Sequence, residues 1–80
     1  MKLTYDPRYN IAYIHLKAEP AEVETVHVSD DLNVDLAPDG TIYGIELLNA
    51  NEQLRGVAGD KLLVINEATG KQEEVAIELA

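Results

Sequence analysis

The chain contains no cysteine, and at 80 residues this absence constrains its folding more than any other feature. Chains of this length keep much of their surface exposed when folded, so their cores are thin. Apolar burial and lost conformational entropy nearly cancel at this size, and small domains commonly add disulfides, a metal or a second subunit. Composition excludes disulfides. Only His15 and His27 offer imidazole ligands, and two histidines leave a zinc site incomplete. Self-association is the remaining fastening, so a homodimer is expected, with no cofactor and no metal. A chain without cysteine also fits a cytoplasmic location.

The charge balance is lopsided: 6 Lys and Arg stand against 15 Asp and Glu, a net charge of −9. Such a field repels the phosphates of nucleic acid and of anionic membrane surfaces. Neither is expected as a direct partner. A basic protein partner would be attracted and steered, although solubility alone explains the charge. The acids are dispersed, with Asp30–Asp31 and Glu73–Glu74 the longest runs. No apolar stretch approaches the roughly 20 residues of a membrane span. The opening Met1-Lys2-Leu3-Thr4-Tyr5-Asp6-Pro7 meets charge and proline too early for a signal peptide. One intracellular domain over residues 1–80 is the expectation.

Alternation of apolar and polar residues predicts about seven short strands. Leu3 and Tyr5 mark the first, and Asp6-Pro7-Arg8-Tyr9-Asn10 forms a turn. Residues 11–16 are nearly apolar on both faces, which suits an interior strand. A polar loop with Pro20 leads to a Val- and Thr-rich strand over 23–28. Leu32, Val34 and Leu36 alternate with Asn33 and Asp35, a strand with one wet face. Pro38-Asp39-Gly40 is a hairpin turn. The strand over 41–47 carries Gly44 in its interior, where glycine signals a bulge or a close approach of other atoms. Asn49 and Glu52 resemble a capping box, predicting a short helix near 49–55 stopped by Gly56 and Gly59. Residues 61–79 predict a C-terminal hairpin turning at 67–70, its first strand apolar on both faces. The fold class is therefore α+β, mostly antiparallel β, a meander of strands with one short helix.

Tyr5-Asp6-Pro7, then Ile11-Ala12-Tyr13-Ile14-His15-Leu16, Val34-Asp35-Leu36, Asp39-Gly40 and Tyr43-Gly44-Ile45-Glu46-Leu47-Leu48-Asn49-Ala50 resemble a small bacterial family, domain of unknown function 2283. The resemblance covers about residues 2–54. It implies strands followed by a helix, over 2–55, and no assigned activity. Two features depart from the pattern: Asn49 stands where many such sequences have Asp, and the 61–79 hairpin extends past the family's usual end. Relatives often lie beside small toxin-like proteins of RNA-cleaving type. By that analogy an antitoxin-like role, neutralising a small basic partner, is conceivable.

No constellation of catalytic residues emerges, and no enzymatic activity is expected. Ser29 could join His15 or His27 and Asp30 or Asp31, yet no nucleophile elbow surrounds it; a turn after the third strand accounts for it. Asp31, Asn33 and Asp35 match three calcium-loop positions, but Leu36 and Ile42 occupy the places of the required glycine and glutamate. Asp35 and Glu46 could approach each other across the 37–40 turn. His15 and His27 would face each other if their strands paired in one register and part if it slipped by one residue. Tyr13 and Tyr43, on strands, suit packing or an interface. Tyr13, His15, His27 and Tyr43 are the partner-binding candidates.

Overall fold

Turn chemistry divides the first 48 residues into five strands. The computed structural model describes residues 1–55 and 61–77. It contains β1 (Lys2–Asp6), β2 (Ile11–His15), β3 (Glu24–Ser29), β4 (Leu32–Leu36), β5 (Ile42–Leu48), α1 (Ala50–Gln53), β6 (Lys61–Ile65) and β7 (Gln72–Ala76). Asp6 Oδ1 accepts the Arg8 N–H at 2.9 Å, and Asp39 Oδ1 accepts the Thr41 N–H at 3.0 Å. Gly40, with φ 85°, closes the β4–β5 turn in a conformation that costs glycine little. The expected fold class, seven strands with one short helix, is present. Gly56, Gly59 and Leu79 lie outside the described residues.

All pairings are antiparallel. The first five strands form one sheet in the order β1-β2-β5-β4-β3, and β6 pairs with β7 as a separate ribbon. Within the five-stranded sheet, consecutive strands pair except at one junction. A β2–β3 hairpin, the arrangement on which both His15–His27 registers depend, does not form: β2 pairs with β5 instead. The connection explains this. Eight residues, 16–23, separate β2 from β3 and can span at most roughly 28 Å. That is enough to pass three strand spacings, about 14 Å. β3 therefore takes the far edge.

Register sorts the side chains onto two unlike faces. One row crosses all five strands as Leu3, Ile14, Ile45, Val34 and Val26. A neighbouring row holds Tyr5, Ala12, Leu47 and Leu32. The opposite face carries Lys2, His15, Gly44, Asp35 and Thr25 in one row, and Thr4, Tyr13, Glu46, Asn33 and His27 in the next. A bulge maintains this division. Asp35 pairs with Gly44 but Leu36 pairs with Ile42, leaving Tyr43 as the additional residue. Ile42 thus stays with Leu36 on the apolar side, while Tyr43 and Gly44 share the polar side.

The apolar face has little over it. Among the described residues only Ala12, Ala37 and Ala50 are buried hydrophobics, and no large side chain is fully buried. Ile14, Val34 and Ile45 are half-buried, and Leu3 and Val26 are 37% and 39% exposed. A sheet with one apolar face needs another layer against it.

The β6–β7 ribbon is exposed along its whole length. Leu62 pairs with Val75, and Val64 lies on the same side. Lys61 and Glu74, an ion pair at 2.6 Å, lie on the other.

Helix α1 packs against β2, and its cap comes from the β1–β2 turn. Asn49 is left-handed, φ 52°, and makes no side-chain cap bond, so the expected capping box is absent. Asn10, also left-handed at φ 56°, supplies it instead. Its Oδ1 accepts the Asn51 N–H at 2.9 Å, and its backbone carbonyl accepts the Ala50 N–H at 3.0 Å. Its Nδ2 donates to Asn51 Oδ1 at 2.8 Å. Asn10→Ala should cost about 2 kcal/mol, from the lost cap and the strained backbone together. Asn10→Gly should cost about half as much, because glycine tolerates that backbone. Urea unfolding of the two variants checks the difference.

Candidate functional site

The polar face of the sheet concentrates the chain's hydrogen-bonding side chains. Tyr13, in the interior strand β2, lies across Gly44 of β5; a Cβ at Gly44 would collide with the Tyr13 ring. Its hydroxyl thereby reaches β4 and donates to Asp35 Oδ2 at 2.6 Å. The edge strand β3 supplies the second donor, Thr25 Oγ1, at 2.6 Å from Asp35 Oδ1. Three strands thus converge on one carboxylate. Burial, and then the Asp35 carboxylate, push the Tyr13 phenol well above its ordinary pKa. Tyr13 therefore remains a neutral donor throughout the physiological range.

A second chain of contacts lies beside the first. Asn33 Nδ2 donates to Glu46 Oε1 at 2.9 Å. Asn33 Oδ1 lies 2.9 Å from His27 Nδ1. At the β1 side, Thr4 Oγ1 and His15 Nε2 are 3.2 Å apart. The Tyr13 and His15 rings are tilted at 58° with centroids 4.5 Å apart. His15 and Tyr43 line a shallow cavity of about 230 Å3 with Lys2 and Lys17.

Three of the four partner-binding candidates therefore gather in one region: Tyr13, His15 and Tyr43. His27 shares the face but is exposed and stands on β3, with β5 and β4 between it and β2. The two histidines do not meet. Asp35 and Glu46 do share the face, as their proposed approach requires.

Sequence reasoning missed Thr4 and Thr25 and treated Asn33 as part of a solvated alternation. The available signal was Gly44, whose missing side chain opens the path from Tyr13 to Asp35. Among the described residues neither histidine hydrogen-bonds to Ser29, whose Oγ instead accepts the Asp31 N–H at 3.3 Å, as a turn residue does. Among the described residues no three ligating side chains cluster as a metal site would require, and no buried polar side-chain atom lacks a partner. No helix among them is long and apolar enough to cross a membrane. The face offers a flat set of donors, acceptors and aromatic edges, the chemistry of recognition.

A family model described as protein of unknown function (DUF2283) matches residues 2–51. The match takes in all five strands of the sheet and the start of α1, and leaves out the β6–β7 ribbon. No curated protein and no solved structure gives a significant match.

Proposed function

The chain belongs to the DUF2283 family, described only as of unknown function, and we propose that it is a non-enzymatic, homodimeric protein-interaction module. One observation carries this reading: the apolar row Leu3, Ile14, Ile45, Val34 and Val26 spans the sheet, yet among the described residues no large side chain is fully buried. A second copy supplies the missing layer. The same face is self-complementary, which suits a two-fold dimer. The polar face then remains outward.

Sedimentation equilibrium at micromolar concentration tests this. The expected mass is twice 8.8 kDa, and the unfolding temperature should rise with protein concentration, as it does when folding and association are coupled. A monomer with a concentration-independent unfolding temperature would sink the reading.

A second reading concerns the outward face. Asp35 and Glu46 stand there among Tyr13, His15, His27 and Tyr43 on a chain of net charge −9. That chemistry suits a small basic protein, as an antitoxin-like role requires. Co-purification with a basic protein encoded by a neighbouring gene, lost in Asp35→Lys, supports this second reading. Its absence leaves the dimer reading in place.

A further inference from the structure

Charge is unevenly placed along the chain. Residues 18–54 hold nine of the 15 Asp and Glu and no Lys or Arg, so the whole net charge of −9 falls within them. That stretch contains β3, which ends the sheet on one side. Every residue of β3 is exposed, and among the described residues its backbone pairs only with β4. A free sheet edge is a template for another strand, and edges are commonly guarded by lysine or proline. β3 contains neither, whereas β1, at the opposite edge, opens with Lys2. The bulge between His27 and Ser29 leaves Glu24 to His27 in regular pairing. We infer that β3 is a docking edge: an extended segment of a partner protein, bearing lysine or arginine, pairs with its free backbone groups and adds a strand to the sheet. This needs no dimer, since a second copy over the apolar face leaves the edge open, and it places the partner beside the sheet rather than on its polar face.

Charge decides between occupants. Glu22 and Glu24 stand at one end of the strand and Asp30 and Asp31 at the other, all four exposed. Two copies paired edge to edge about Val26 would set Glu22 of each against Asp30 of the other, and like charges directly opposite are unfavourable. No lysine or arginine lies between Lys17 and Arg55 to relieve that contact. Pairing β3 with the Lys2-bearing edge of another copy would be heterologous and would continue into a filament. A foreign strand with cations at its ends escapes both limits. The two faces set its pattern. β3 presents Val26 (39% exposed) on the apolar side and Thr25 and His27 on the polar side. An apolar residue is therefore favoured beside Val26, and a polar or basic one beside Thr25 and His27. Ladder hydrogen bonds supply the attraction, and the acids select its sign.

The probe is a synthetic peptide of alternating lysine and valine, about eight residues long to match β3. It is titrated into the isotope-labelled full-length protein at low ionic strength, with amide hydrogen exchange followed by NMR. The β3 amides that do not bond to β4 should exchange about 10-fold more slowly with the peptide present, and those on the free edge of β1 should not change. The same peptide methylated on its interior backbone nitrogens keeps every charge but loses its ladder bonds, and should bind about 10-fold more weakly. Glu24→Lys should weaken the parent peptide by a similar factor, and raised salt should weaken it as well. Equal affinity for the methylated peptide would mean that charge alone attracts it, and would overturn the inference. Protection on β1 instead of β3, or no binding at millimolar peptide, would do the same. So would β3 amides already protected in the free protein, because a second copy would then hold the edge. The dimer reading is judged separately, by mass and by the concentration dependence of unfolding.

Discussion

Ile45→Glu is expected to abolish the dimer and most of the folded protein with it. Ile45 sits at the centre of the apolar row, paired with Ile14 on one side and Val34 on the other. In an isolated subunit the side chain is half-buried, and a carboxylate there could bend toward water at a modest penalty. Under a second layer it has no such escape. An unpaired charge sealed in an apolar contact costs several kcal/mol. A domain of this length has only roughly 4–12 kcal/mol in total. Sedimentation and urea unfolding read both effects. Lys2→Glu, exposed on the polar face, is the control and should keep native mass. If Ile45→Glu remained folded with an unchanged mass and midpoint, the face would not be an interface.

Gly44→Val should give the second large effect, by a different route. A side chain at Gly44 meets the Tyr13 ring, and a β-branched one cannot be accommodated by a small shift. Tyr13 must leave, and Asp35 loses one of its two hydroxyl donors. Overpacking and the broken charge-assisted bond together should cost about 3 kcal/mol, partly offset by the strand preference of valine. An alkaline titration separates this cause from general damage. In the native protein the Tyr13 phenol titrates above its ordinary value. The folded state therefore holds that proton more tightly than the unfolded one. Its stabilisation is complete below about pH 10, the usual phenol range, and drains away as pH rises toward the higher folded value. Gly44→Val should lose that part of the alkaline slope. A variant as stable as the parent, with the slope intact, would refute the account.

The elements were readable because alternation and turn residues act locally. Asn33 and Asp35 against Leu32, Val34 and Leu36 announced a two-faced strand, and β4 is that strand. Gly44 signalled either a bulge or a close approach, and it stands beside a bulge and beneath Tyr13. Strand order was less accessible. Nothing in residues 16–23 says whether the chain turns back or crosses, and the decision belongs to β5, whose apolar row completes the one on β2. The site inherited that ambiguity. Tyr13, His15 and Tyr43 converge only because β5 lies next to β2, and His27 drifts away for the same reason. The helix cap was misassigned because a short-range pattern, Asn49 with Glu52, competed with a distant residue that makes the better bonds.

That distant residue has a kinetic consequence. The helix start is held by a turn residue 41 positions earlier in the chain, and a single-turn helix has no means of nucleating alone. Closing so long a loop comes before any reward from the contact. Helix α1 must then be among the last parts to assemble, a latch that fastens after strand β5 has found its slot beside β2.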